Sequence, residues 1–411
     1  MAMVANIRSG VFTLLLLAVP LPVARGESPE QQFQTLLTAG KLAEAEKLVQ
    51  SQLTAHAKDD NARFALGVTQ TLQGVEQLMQ GLYRYGLDPA WTTSLPFVRL
   101  PVPTNPKPEP LTNEAFRKLV ADFADDLATV EATLAEIESN DVSLLLRPGA
   151  YRLDFDADGM AEDDKTLWKI LARVTGRTID AEAATKFVVM ADKADVHWLR
   201  GYCRVLSSMC EMHLAHDTQK LHDHCAQLFF PTAKVLYPPP KVQRDEMWDS
   251  IIDGIAFIHL LNLPVKEPER MKTAHAHLLA VVEQSRLSWK AILAETDDHR
   301  EWIPSPQQKD AAMPGAVVNT EMLKGWHAVL DEFEALLEGK KLIPFWRGSD
   351  SRGVNLRRVF FEPTTFDLVL WVQGTAAVPY LEKGERTTPE FWNRIQRGFQ
   401  GQFFWFAIWV N

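Results

Sequence analysis

GKLAEAEKLVQSQL at residues 40–53 and NARFALGVTQTL at residues 61–72 lie in a stretch, Gln31 to about Gly86, that is rich in Ala, Leu, Gln, Glu and Lys. These residues lose little side-chain freedom in a helix, so the stretch reads as an amphipathic helical hairpin. Outward from it the same character continues. Phe116, Leu119, Phe123, Leu127, Val130, Leu134 and Ile137 recur at spacings of three and four, which predicts one long helix stopping near Asn140. Further helices are expected from about Asp164 and near 194–215, 218–230, 245–261, 269–294 and 320–338, the last closed by Gly339. The fold class is mostly α: a helical body with a short repeat-like helical hairpin and a small β-hairpin.

The hairpin resembles a tetratricopeptide repeat. Gly40 and Ala45 stand five apart and Leu66-Gly67 follows, matching the spacing between the second helix of one unit and the first of the next; the usual proline is absent, with Ala57 near its place. Because such repeats need about three stacked units to stand alone, this unit and a half is expected to dock on the rest of the protein. The resemblance covers residues 27–87. Residues 88–111 follow as a proline-rich arm containing LPVPTNPKPEP, which suits neither helix nor central strand. Trp91, Phe97, Val98 and Leu100 interrupt the prolines, favouring an arm packed on its own protein. Residues 112–411 form the body, and within it 142–165 hold the β-hairpin and an acidic loop.

In VSLLLRPGAYRLDFDADG, two short apolar runs flank Arg147-Pro148-Gly149, the pattern of two strands joined by a tight turn. The run then enters Asp154, Asp156 and Asp158 at alternate positions, with Gly159 where the backbone must curl if the carboxylates are to converge. This resembles the calcium loop of EF-hand and dockerin-like modules. The resemblance implies side-chain ligation by Asp154, Asp156 and Asp158, a carbonyl ligand at Met160 and a direct or water-mediated ligand at Glu162, with calcium in a structural role. One position departs: Lys165 stands where the family has a bidentate Glu, so the ring is open or is closed by Asp163, Asp164 or a distant residue. The residues alone also admit a solvated acidic turn capping the next helix.

All three cysteines and four of the 11 histidines fall in CRVLSSMCEMHLAHDTQKLHDHCAQLFF. Val196, Leu199, Cys203, Leu206, Cys210 and His213 make one apolar stripe, the usual place of core cysteines. A turn at Asp217-Thr218 would instead mirror Cys210 and His213 onto His222 and Cys225, the makings of a tetrahedral zinc site or of a Cys210–Cys225 disulfide. His275 and His277, two apart on a helix, point to different sides. Phe366–Val372 alternates like a strand but is short enough to be a buried helix. FFWFAIWV near the C-terminus and Trp168, Trp198, Trp248, Trp289 and Trp326 are expected in the core.

Residues 1–26, with Arg8 ahead of an apolar run and small residues at Ala24 and Gly26, read as a secretory signal peptide, leaving Glu27 first and the product periplasmic or extracellular. The chain has 411 residues, is 46% hydrophobic and carries a formal charge of −10, which argues against a nucleic-acid partner. No stretch past the N-terminus is apolar for the ~17–25 residues that a membrane span needs. There is no GxSxG elbow, phosphate loop, dinucleotide fingerprint or HExxH. The expectation is therefore a binding or scaffolding protein that meets a protein partner through helical surfaces, with an exported hydrolase as the alternative.

Overall fold

A computed structural model of the chain describes residues 27–88, 102–162, 165–169, 172, 178, 180–237, 246–312, 317–347, 351–403 and 406–407. The signal-peptide reading and most of the proline-rich arm lie outside these residues. Helices dominate: α1 (Pro29–Thr38), α2 (Leu42–Ala55), α3 (Asp60–Arg84), α4 (Asn113–Ala135), α5 (Ala181–Thr185), α6 (Lys193–Ala215) and α7 (Gln219–Cys225) come first. They are followed by α8 (Glu246–Leu260), α9 (Pro268–Ala294), α10 (Thr320–Leu337), α11 (Leu356–Phe361), α12 (Leu368–Gln373) and α13 (Pro389–Gly398). Most starts carry a cap legible in the residues. Asp59, Thr112, Asn319 and Thr388 each accept a backbone N–H from the first turn of the helix they precede, and Ser28 forms a capping box with Gln31. Gly339 closes α10 at φ +71°, where a side chain would be strained.

The N-terminal helices do not stand apart. Phe33, Leu37, Ala45, Val49, Phe64 and Met79 share one core with Leu127, Val130 and Leu134 of α4 and with Val196 and Cys203 of α6. Two glycines show how close the approach is. A Cβ on Gly67 would lie 2.4 Å from Leu134 Cδ2, and one on Gly40, already at φ +71°, would lie 2.2 Å from Ala161 Cβ. The helical hairpin is thus seated on α4 and against the acidic loop. In the described end of the arm, Val102 and Leu111 are buried, and Glu109 N–H donates to Arg84 O at the end of α3.

A second core joins α9, α10 and α13 around Trp289, Trp326, Phe399 and Phe406. Phe406 and Trp289 are fully buried and stacked, as expected for the C-terminal aromatic run where it is described. Trp248 departs from expectation: it is 57% exposed.

The strands are short. β1 (Ser143–Leu146) pairs antiparallel with β2 (Val189–Asp192), Ser143 opposite Asp192 and Leu146 opposite Val189. Its partner is therefore not the run after Arg147-Pro148-Gly149. Pro148–Ala150 is a 3₁₀ turn, and Gly149 serves close packing, since a Cβ there would sit 1.9 Å from Ala184 O at the end of α5. The second run instead pairs with the residues beyond the acidic loop: Leu153 N–H donates to Lys165 O, and Leu167 N–H donates to Tyr151 O. β3 (Asn262–Leu263) pairs with β6 (Phe366–Asp367), and β5 (Gly353–Val354) lies between β4 (Ile343–Pro344) and β7 (Leu381–Glu382). Phe366–Val372 is accordingly neither one strand nor a buried helix. It is a two-residue strand leading into α12, whose Val369, Leu370 and Val372 are exposed.

Candidate functional site

The acidic loop is closed at its base by the antiparallel pairing of 151–153 with 165–167, and that closure places Lys165 beneath it. The Lys165 side chain is 7% exposed and its ammonium occupies the centre of the ring. Nζ lies 2.6 Å from Asp156 Oδ1, 2.9 Å from Met160 O, 3.1 Å from Asp158 Oδ1 and 3.6 Å from Asp154 Oδ1. Four of the five groups that the resemblance assigns to a cation thus lie within 3.6 Å of this ammonium. The ammonium already sits among them, and Glu162, which is exposed, meets Lys165 through its backbone carbonyl, which accepts the Lys165 N–H. Burial alone would lower the Lys165 pKa, but its hydrogen bonds to Asp156 and Asp158 outweigh that and raise it. Asp158 is held below the usual carboxylate range by the Met160 N–H and then by Lys165.

α3 fixes the loop from behind. Glu76 accepts the Asp154 N–H at 2.6 Å, and Gln80 Nε2 donates to Asp154 O at 2.7 Å. Burial, reinforced by the Asp154 charge, raises Glu76 to about 7. Ala157 at φ 57° and Gly159 at φ 81° supply the curl.

A second carboxylate group has no sequence signature, its members lying up to 109 positions apart. Asp192 caps α6, Glu295 follows α9, and Glu301 lies in the loop beyond; their oxygens fall within 4.8 Å of one another, so the three could jointly hold a cation. Asp195, the other half of the α6 capping box, lines the same crevice. Burial and then the Asp192 charge push Glu295 up to about 9 and Asp195 well above its ordinary value, and burial raises Glu301. The crevice is too tight to admit a water molecule. The arrangement holds protons among acids and leaves no space for an organic substrate.

The Cys and His cluster resolves as core. The turn at Asp217 is present, Asp217 Oδ1 accepting the Gln219 N–H, but Cys203, Cys210 and Cys225 are all free and buried, which removes the disulfide. Among the described residues no Cys or His belongs to a group of three or more potential metal ligands, which removes the zinc reading. Burial raises the Cys203 thiol to about 12 and the Cys210 thiol to about 11. His213 packs edge-on against Phe116 and is lowered to about 4 by burial, with Arg117 and His216 adding to it. His275 reaches Leu337 O while His277 faces Arg204, on different sides as the spacing requires.

The third feature is a surface. α8 carries an apolar stripe, and the stripe faces solvent: Trp248, Ile251, Ile252, Ile255 and Ile258 are all exposed, Ile255 by 63%. Its opposite side meets the protein, with Phe257 edge-on to Phe229 and Leu260 buried. The β3–β6 pair, with Leu368 N–H donating to Leu261 O, lays α12 beside α8 and adds Val369, Leu370 and Val372 to the face. Trp346 extends it, its Nε1 donating to Val372 O at 3.0 Å. Periodicity predicts the stripe but not its direction, so reading the residues alone missed it. Comparisons of the chain with family models, with curated proteins and with solved structures find no match.

Proposed function

We propose that the chain is an exported binding or scaffolding protein and that its working surface is the apolar face of α8 and α12. One observation carries the reading: five large apolar side chains of a single helix, flanked by three more from α12, face solvent. Soluble chains rarely leave a contiguous patch of more than a few hundred Å² uncovered unless something docks there. Export rests on residues 1–26, and the formal charge of −10 disfavours nucleic acid as the partner.

The acidic loop is a structural clasp held against α3 through Glu76 and Gln80. We read it as a calcium-like loop whose cation is the Lys165 ammonium, so that calcium enters only by expelling it. The distances to Asp156, Asp158 and Met160 support this.

Replacing Ile255 with a photoreactive amino acid in producing cells tests the binding reading. Irradiation should give a discrete cross-linked product, to another protein or to a second copy, and the same residue placed at exposed Lys47 should not. Absence of any product at Ile255 would overturn the reading.

A further inference from the structure

We infer that a cavity between α6, α9 and α10 is a binding site for one small neutral aromatic molecule that carries a hydrogen-bond acceptor. None of its described lining residues belongs to α8 or α12, so the site is separate from the apolar face above.

The cavity has a volume of about 150 Å³. An apolar space of that size stays dry and holds one benzene-sized ring, whereas pockets for drug-sized ligands start at roughly 300 Å³. Packed interiors contain few such voids, because the lining atoms forfeit contacts across them. Here the walls are fixed before anything enters. Ser288 Oγ donates to Ala194 O at 3.0 Å and His197 Nδ1 lies 2.9 Å from Gln284 Oε1, which ties α6 to α9. Trp326 Nε1 donates to Ser285 Oγ at 3.0 Å, which ties α10 to α9. Trp198 stacks on Tyr202 at 5.3 Å and makes a T-shaped contact with Trp302 at 5.7 Å.

Gly201 argues that the space is maintained. It lies within α6 and lines the cavity, and a glycine there weakens the helix. Close packing does not require it. The only described atom that a Cβ on Gly201 would meet within 4 Å is Gln284 Cβ, at 3.4 Å, an ordinary contact, whereas one on Gly67 would overlap Leu134. A longer side chain at Gly201 would take up the space.

The lining sets the chemistry of the ligand. Trp198, Trp326 and Phe333 offer aromatic surface, with Val205 and Val282 between them. No described lining residue is Asp, Glu, Lys or Arg, and burial lowers the pKa of His197, so a charged ligand would shed its water without gaining a counter-charge. Of the described lining side chains, Trp198 alone leaves a buried polar atom unsatisfied: its Nε1–H meets no acceptor among the described residues. An oxygen on the ligand supplies that acceptor.

Isothermal titration calorimetry of the purified full-length protein with p-cresol, toluene and benzoate tests the inference. p-Cresol should bind at one site with a Kd on the order of 10⁻⁴ M, about 5-fold tighter than toluene, and benzoate should give no binding heat. Gly201→Leu and, as a milder change at a half-buried position, Val205→Phe should each retain the helical circular dichroism and weaken p-cresol by at least roughly 10-fold. Trp198→Phe keeps a ring but removes the N–H, and should bring p-cresol to the affinity of toluene. Absence of p-cresol binding, benzoate binding as tightly as p-cresol, or p-cresol binding that survives both filling variants would overturn the inference. A preference for p-cresol over toluene that persists in Trp198→Phe would overturn the acceptor and with it the class of ligand.

Discussion

Replacing Lys165 with Met keeps most of the side chain's volume and removes its charge. Three carboxylates whose oxygens lie within 4.8 Å of one another then lose the cation they share. Two unit charges 4 Å apart at an effective dielectric constant of 20 repel by about 4 kcal/mol, but water reaching the loop and partial protonation relieve much of this. Removing one partner of a fully buried pair costs about 3–5 kcal/mol, and the partial exposure of Asp156 brings the expected loss to about 2–3 kcal/mol. In a chain of this length that is a fall in melting temperature of roughly 2–5 °C. The vacated ring should then accept calcium. With a Kd on the order of 10⁻⁴ M, 10 mM Ca²⁺ would restore about 2.7 kcal/mol by linkage, cancelling the loss. Differential scanning calorimetry with Ca²⁺ or a chelator reads both effects. The unmodified protein should not respond to calcium. A calcium-dependent rise in its melting temperature, reversed by chelator, would refute the resident ammonium, and so would a Lys165→Met variant with unchanged stability and no calcium response. The pH dependence has a definite sign: because the folded state raises the Lys165 pKa, its contribution is complete below the ordinary lysine value and is lost as pH rises through the raised one.

Glu295 works in the opposite sense to an ordinary surface carboxylate. Its pKa rises from 4.5 unfolded to about 9 folded, so the folded state holds the extra proton and stability falls as pH climbs between those values; Glu295→Gln should flatten that decline and raise the melting temperature at pH 8–9. A steeper decline in the variant would refute the proton-sharing account. Ala45→Arg, at a fully buried position, should cost at least about 2 kcal/mol in denaturant unfolding through overpacking and a buried charge, whereas Lys47→Glu on the exposed side should stay within about 0.5 kcal/mol. Titration with a thiol reagent should count three thiols after denaturation without reductant and show almost none reacting in the folded state, given buried thiols with raised pKa values. A count of one would restore the Cys210–Cys225 disulfide.

Local residue chemistry by itself determined that this chain is helical and where most helices begin and end. Caps such as Asp59 and Asn319, and the closing Gly339, act within a turn or two of the backbone and are therefore legible in order along the chain. The convergence of Asp154, Asp156 and Asp158 is legible for the same reason, since it needs only a short curl. What fills the ring is not: Lys165 reaches it because 151–153 pair with 165–167, and the same residues without that pairing read as an open loop. The strand partner of Ser143–Leu146 lies beyond a tight turn's reach, and only the packed body chose Val189–Asp192 over the nearer run. Asp192, Glu295 and Glu301 come together only because α6, α9 and the loop after α9 meet at one end. The apolar stripe of α8 was there to be counted. Whether a stripe faces the core or the solvent depends on which neighbours already occupy the core, and that is decided by the tertiary structure because burial is a property of the assembled layers and not of one helix.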